Sequence, residues 1–529
     1  MSENSKKLDF DPNQLSNKAL DFLNQENFLE AKKILEKLII HFPNNCDLLN
    51  LLGFSALQLG LFAESVKAYS SSLKKNKKQV GALFNMAIAN EKLGSKKKAL
   101  KNYDDALNLD PNNLDIYQNK SAIFEDLGEF DKALDEINFV IKNSFNNDKA
   151  LANRGNIYQN KFEYNLAKDD YLAALKINSQ NVDILINLGN VQKQLKEYKA
   201  AEVSFLQAIK YSADNSAHFN LSLLYLFLQD FSKGWIEYEY RKTRYDIPNS
   251  IKNLDLLDEF NNEKKIIIWA EQGIGDQIIF SSMLNDLPKN NQITVALDKR
   301  LIPIYKISFD FLKFIDLEKL KNISKYDFDC HLPIGSLGKF YRLKIDSFIN
   351  QPNGFLKPNN LEVKKIKMQL SKKDKKICGI SWKSKNEKIG FAKSLKLSEM
   401  LDLFMLEDLC FVDLQYGDTE QEKKELFKKN IVDFHTPERL DKFKDISGLL
   451  NYIEACDFIV TSSNVTAHLA GSIGKKTYLM VPHGIGKIWY WHDDNFSLWY
   501  PSIKIFRQTK PNEWKSIVKR IANEIKLNF

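Results

Sequence analysis

Cysteine is sparse in this 529-residue chain, and what there is of it is scattered. Cys46, Cys330, Cys378, Cys410 and Cys456 form no C-x-x-C pair and are odd in number, which argues against a disulfide framework or a thiolate zinc site and fits a reducing compartment. Long apolar runs are lacking too. The longest, LLYLFL at 223–228, falls well short of the roughly 18–20 residues that a membrane helix needs. The first residues, MSENSKKLDFDPNQ, lack the basic-then-apolar order of a signal peptide, so a cytoplasmic protein without a membrane span is expected. Arginine is the scarcest charge, 8 residues against 68 lysines, and no basic helix or aromatic-basic module stands out, which argues against nucleic acid as a partner. The net charge of +8 is lopsided: residues 1–262 carry 33 basic and 35 acidic groups, residues 263–529 carry 43 and 33. Between 351 and 400 there are 13 lysines against 4 acidic residues, which suits a small anionic ligand or a solvated lysine-rich stretch.

What is present is a repeat. A step of 34 residues runs without a gap through Ala31, Ser65, Ala99, Ala133, Ala167 and Ala201. Twelve residues upstream stand Ala19, Gly53, Ala87, Ser121, Gly155 and Gly189; four downstream stand Leu35, Tyr69, Tyr103, Ile137, Tyr171 and Phe205. Two small positions let paired helices approach, and the large residue fills the groove between them. Gly60, Gly94 and Gly128 mark turns, and Pro43 and Pro111 end two units. The pattern resembles the tetratricopeptide (TPR) family and predicts seven helix pairs over 12–249 after a polar tail at 1–11. The seventh unit, with Leu223, Trp235 and Glu239 at the marker positions, departs from the code as a terminal repeat packed on another domain would. At the sixth position of the units, Asn85, Asn119, Asn153 and Asn187 fall in four consecutive repeats. They are either a ladder of amides lining a concave groove, able to pair with a peptide backbone, or ordinary residues of an Asn-rich repeat. The first reading resembles the asparagine ladder of TPR-bearing protein glycosyltransferases.

Past a linker at 250–262 the periodicity changes. KIIIWA (265–270), ITVAL (293–297), ICGISW (377–382), CFVDLQ (410–415), DFIVT (457–461) and KTYLMV (476–481) read as buried parallel strands alternating with helices. The turn-rich stretch at 350–363 divides this half into lobes at 263–355 and 356–529. Two doubly wound lobes with ligand at the carboxyl ends of their strands are expected.

After the first of these strands, Gln272, Gly273, Ile274, Gly275 and Asp276 form a glycine turn into a helix. Asp276 there is either a helix cap or a general base facing the cleft. A later strand runs into Ser462, Ser463, Asn464, Thr466 and His468, whose helix N-terminus can bind sugar or diphosphate oxygens. His468 is a donor contact or a locally satisfied helix residue. Lys383, Ser384 and Lys385 follow a strand in the second lobe, where a lysine could neutralise a leaving diphosphate or simply be solvated. The aromatic run Trp489, Tyr490, Trp491 and His492 is core packing or a sugar-stacking wall. No Asp-x-Asp motif is expected beside a strand of the second half and no His/Cys cluster has ligand spacing, so neither metal nor cofactor is expected.

The Gly273–Asp276 turn, the segment DFIVTSSNVTAHLAGSIGKKTYLMVP (457–482) and the tail IWYWHDDNFSLWYPSIKIFRQTKPNEW (488–514) resemble glycosyltransferase family 9, the ADP-heptose heptosyltransferases, and bacterial TPR proteins carrying that domain. The resemblance covers about 263–529 and implies two Rossmann-like lobes of GT-B type. It also implies metal-independent inverting transfer from a nucleotide-diphosphate sugar to a hydroxyl of a protein or glycan, with Asp276 as base. Where the family usually has Asp-Thr this chain has Ser463-Asn464, which puts heptose in doubt. A non-catalytic TPR scaffold with a degenerate transferase-like domain is the alternative.

Overall fold

The computed structural model describes residues 11–212, 215–244, 246–260, 264–289, 292–322, 328–371, 375–386, 389–427 and 434–528. The polar tail at 1–11 therefore lies almost wholly outside the described residues. Fourteen helices come first: α1 (Pro12–Asn24), α2 (Phe28–His41), α3 (Cys46–Gln58), α4 (Phe62–Lys75), α5 (Val80–Lys92), α6 (Lys96–Leu107), α7 (Leu114–Asp126), α8 (Phe130–Asn143), α9 (Asp148–Asn160), α10 (Tyr164–Ile177), α11 (Val182–Gln194), α12 (Tyr198–Tyr211), α13 (Ser216–Phe227) and α14 (Phe231–Tyr238).

Packing divides the chain into two compact units, Met1–Val191 and Gln192–Phe529, so the division falls inside α11. In the first unit the small and large positions do what their sizes demand. A Cβ on Gly53 would lie 2.8 Å from the Tyr69 ring, and one on Gly155 2.7 Å from the Tyr171 ring. Ala31, Ala99, Ala133, Tyr103 and Ile137 are fully buried in the same slots. Asn45 and Asn147, just before α3 and α9, accept hydrogen bonds from the first-turn amides Leu48 N and Ala150 N, which explains part of the asparagine richness. Gly60, Gly94 and Gly128 adopt φ near +73°, and the same repeat position is left-handed at Glu26, Phe162 and Lys196 without a glycine.

The second unit holds α12–α14 and two parallel sheets. The first comprises β1 (Asp255–Leu256), β2 (Lys265–Trp269), β3 (Gln292–Leu297), β4 (Lys313–Asp316) and β5 (Cys330–Pro333) in the order β1-β5-β2-β3-β4, with α15 (Ile274–Ser281), α16 (Ile302–Ser308), α17 (Leu317–Asn322) and α18 (Gly338–Tyr341). The second comprises β6 (Lys376–Ser381), β7 (Leu409–Asp413), β8 (Phe434–His435), β9 (Phe458–Ser462), β10 (Thr477–Val481) and β11 (Ile503–Arg507), ordered β11-β10-β9-β6-β7-β8. Its helices are α19 (Asn360–Leu370), α20 (Leu401–Phe404), α21 (Glu420–Phe427), α22 (Ile446–Ala455), α23 (Val465–Ser472) and α24 (Trp514–Asn528). The stretch expected as a linker at 250–262 contributes β1, paired with β5, and buries Ile251 and Leu257; apolar side chains there make it part of the sheet layer.

Alternate residues of each strand enter different cores. Ile266, Ile268, Val295 and Leu332 join Ile377, Val412, Ile459 and Leu479 in one large cluster shared by both sheets, while Ile267 and Trp269 pack on one outer face and Ile380, Val460 and Met480 on the other, under α24. The seventh repeat belongs to the large cluster: Trp235 is 1% exposed and its Nε1 donates to Arg342 O at 2.6 Å. Replacing the usual small residue by Trp removes a helix-pair slot and fills the space over Gly338, where a Cβ would lie 2.3 Å from the indole.

Candidate functional site

In each sheet the strand order reverses beside the first long strand, between β2 and β5 and between β6 and β9. Loops leave such a point in opposite directions and open a crevice at the carboxyl ends. The glycine turn of Gln272–Asp276 lies at the first crevice, and Ser381–Ser384 and Ser462–Asn464 lie at the second.

The two turns meet. The Gly275 backbone rests on the His468 ring, 2.9 Å from Cδ2 to an added Cβ, so α15 and α23 approach through a position only glycine fills. Gly273, not Asp276, is the N-cap of α15. Asp276 is in the first turn, its pKa pushed up to about 7 by desolvation and then by the Glu271 carboxylate, with Lys393 acting in the opposite direction. Lys393, 5% exposed, is lowered by its own burial and held up by Asp276. Glu271 is pinned beneath them by the fully buried Arg241, at 2.7 Å from Nη2, and by Gly335 N. Gln272 donates from Nε2 to the Tyr238 hydroxyl at 2.6 Å.

His468 lies between two phenols, with Nδ1 3.0 Å from Tyr500 Oη and Nε2 3.3 Å from Tyr490 Oη. Burial, with Lys393 adding to it, lowers its pKa to about 3, so the ring is neutral and has one donor and one acceptor nitrogen. Ser463 Oγ accepts from Trp491 Nε1 at 2.9 Å. Asn464 caps α23 by accepting from Thr466 N at 2.9 Å, and its Nδ2 donates to Ser381 Oγ and to Lys383 O. Ser462 is fully buried beneath this cap. Thr466, also fully buried, leaves its Oγ1 without a hydrogen-bond partner among the described residues.

The lysines singled out in the sequence go elsewhere. The Lys383 ammonium pairs with Glu422, on the wall of a surface depression of about 780 Å3, and Lys385 lies over the Phe443 ring. Ser384 N donates to Ser394 Oγ at 3.0 Å, closing the 384–394 loop that carries Lys393. The aromatic run is core: Trp489 is 8% exposed and Trp491 is fully buried. An Asp-x-Asp spacing does occur at Asp327–Asp329; Asp327 lies outside the described residues, and Asp329 accepts from Lys265 N at the amino end of β2, away from the crevices.

The tetratricopeptide-repeat family models match residues 148–181 and 182–215, and also 17–80 and 50–114. The helix pairs are tetratricopeptide repeats. The curated Protein FlbA of Caulobacter vibrioides is 24% identical over 331 residues, which is 58% of this chain and 54% of that protein. The chain thus spans about half the length of this relative. Among solved structures, a tetratricopeptide repeat protein from Parabacteroides merdae is 15% identical with a TM-score of 0.40, covering 44% of this chain and 92% of that one. Pseudomonas aeruginosa pilF is 15% identical with a TM-score of 0.34, covering 38% and 91%. Among the described residues, no helix is long and apolar enough to cross a membrane.

In the tetratricopeptide repeats, Asn85, Asn119, Asn153 and Asn187 are half-buried on α5, α7, α9 and α11. Asn119 Nδ2 donates to Tyr103 Oη and Asn187 Nδ2 to Asn156 Oδ1, each at 3.1 Å, so part of their hydrogen-bonding capacity is spent inside the fold. Sequence reasoning missed Lys393, Glu271, Arg241 and Tyr500, and it took Tyr490 as part of the aromatic run without its contact to His468. Lys393 is one lysine in a lysine-rich stretch, and only its burial sets it apart.

Proposed function

We propose that the α/β region transfers a sugar from a nucleotide-diphosphate donor to a hydroxyl acceptor, and that the TPR repeats recruit the acceptor or a protein partner. The observation that carries this reading is the contact of the Gly275 turn with His468, which brings Asp276, poised near neutrality and within electrostatic reach of the buried Lys393, to the carboxyl ends of both parallel sheets. Resemblance of the two turns to family 9 and the presence of two parallel sheets support it. In the proposed step the acceptor oxygen attacks the anomeric carbon as Asp276 takes its proton, and the carbon–oxygen bond to the diphosphate breaks with its electron pair leaving on phosphate. Lys393 and the amino end of α23 stabilise the charge that develops there, in place of Lys383. His468, neutral, serves as a hydrogen-bond partner rather than a charge.

A second reading, a TPR interaction protein with a degenerate domain, draws on Asn464. Its amide is committed to Ser381, Lys383 O and Thr466 N, where an acidic donor contact is usual in family 9. Thermal denaturation of the full chain against a panel of nucleotide sugars separates the two. The transferase reading expects one donor to raise Tm and Lys393→Gln to abolish that rise. No shift with any donor, together with no donor hydrolysis, would leave the interaction protein.

A further inference from the structure

A second cavity, of about 570 Å3, lies at the carboxyl ends of β10 and β11 beside the turn from α11 to α12. Five cations line it, Lys193, Lys196, Lys487, Arg507 and Arg520, and among the described residues Asp493 is the one carboxylate in its wall. That carboxylate is already shared, 2.7 Å from Lys487 Nζ, 3.3 Å from Tyr198 Oη and 3.9 Å from Arg507 Nε. The remaining positive charges face one another. Burial and the Lys487 charge push the Lys193 ammonium down to about 8, and burial lowers Lys487 and Arg507 as well. An anion would relieve this repulsion.

Donors are also left over. Gln508 is 5% exposed; its Oε1 accepts from His483 N at 3.0 Å, yet its Nε2 has no hydrogen-bond partner among the described residues. Arg507 is held in place by donation from Nη2 to Trp491 O and His492 O, both at 2.6 Å, while its Nε has no hydrogen-bond partner. Unpartnered donors beside a surplus of cations suit a dianion better than a singly charged carboxylate. A smaller cavity of about 210 Å3 shares Lys193, Gln194 and Lys487 with this one and is otherwise lined by Leu223, Phe227, Ile389, Ile488 and Trp489. The basic chamber and an apolar one therefore lie side by side.

We propose that the paired cavities form a binding site for an organic phosphomonoester, the phosphoryl group among Lys193, Lys196, Lys487, Arg507 and Gln508 and a compact apolar body against Phe227 and Trp489. The site has its own cations, none of them Lys393, and stands whether or not the Asp276–Lys393 crevice transfers a sugar. Calorimetry on the full chain with phenyl phosphate, and with inorganic phosphate in parallel, tests it. The expected result is binding of phenyl phosphate at least tenfold tighter than inorganic phosphate. Lys193→Gln combined with Lys196→Gln, at a half-buried and an exposed position, should weaken phenyl phosphate at least tenfold, and Ile389→Gln should narrow the gap between the two probes. Asp276→Asn and Lys393→Gln should change neither affinity more than about twofold. Equal affinity of the double lysine variant and the parent, with both folded by circular dichroism, overturns the assignment. So does loss of binding in Lys393→Gln alone, which places the anion in the crevice. Equal affinity for the two probes removes the apolar half and the organic ligand with it.

Discussion

Gly275 and His468 touch across the two halves of the crevice: a Cβ on Gly275 would come within 3.0 Å of His468 Nε2 and 2.9 Å of Cδ2. The ring cannot withdraw easily, because Tyr490 and Tyr500 hold both its nitrogens. Gly275→Ala is therefore expected to destabilise the protein by about 1–3 kcal/mol, the usual result of overpacking, measured by urea denaturation. A midpoint equal to that of the parent would mean the two turns are less tightly held than this contact implies.

Asp276 and His468 respond to pH with opposite signs. The folded pKa of Asp276 lies above its ordinary 3.8, so the folded state holds a proton the unfolded state has lost, and this contribution to stability falls as pH rises from about 4 through about 7. His468 is depressed, so its contribution is present above about 6.5 and is lost as pH falls through that value toward about 3. Asp276→Asn should be more stable than the parent at about pH 8, and that advantage should shrink below about pH 7 and be lost by about pH 4, read as Tm across pH. In the proposed transfer the same carboxylate must be ionised, so turnover should decline below about pH 7, and Asp276→Asn should lower it by about 10²–10⁴ at unchanged donor affinity. Wild-type turnover in the variant would remove Asp276 from the mechanism.

Trp235 joins the last repeat to the sheet layer through the large apolar cluster and its bond to Arg342 O. Trp235→Ala leaves a cavity over Gly338 and an unpaired carbonyl, at an expected cost of about 3–5 kcal/mol. Chemical denaturation followed by tryptophan fluorescence and by circular dichroism gives the loss. A change below about 1 kcal/mol would mean that the neighbouring side chains collapse into the space.

Replacing Asn85, Asn119, Asn153 and Asn187 together by Ala separates a peptide groove from plain repeat structure. If the amides hold an extended acceptor, several contacts of roughly 0.5–1.5 kcal/mol each are lost and acceptor KM rises, while donor hydrolysis is unchanged. The Asn119–Tyr103 and Asn187–Asn156 bonds predict a stability loss as well, so the comparison is made at a temperature where the variant is folded. Unaltered KM would assign these amides to the repeats alone.

The helix pairs were legible because each repeat states its packing locally. The Ala31 and Tyr69 series recur every 34 residues, and Gly53 against Tyr69 shows why the sizes must pair. Three of the left-handed turn residues escaped notice because Glu26, Phe162 and Lys196 carry no local signal; the turn is imposed by the helices on either side. Strands β2, β3, β6, β7, β9 and β10 were readable as apolar runs, since both faces of a parallel strand are buried. Strands β4 and β5, with sequences KFID and CHLP, are too short and mixed for that pattern and form because paired neighbours satisfy their backbones. The Asp276 turn and the Ser462–His468 segment could be found from their neighbours in sequence. Which lysine faces Asp276 could not. Lys383 and Lys393 are equally basic on paper, but one is drawn out to Glu422 and the other is closed in by the 384–394 loop. Sequence by itself determined the repeats, the main strands and the glycine turns, because these rest on spacing along the chain. Only the tertiary structure decided which charges are buried together, because desolvation and Coulomb energy depend on distances that chain spacing does not contain.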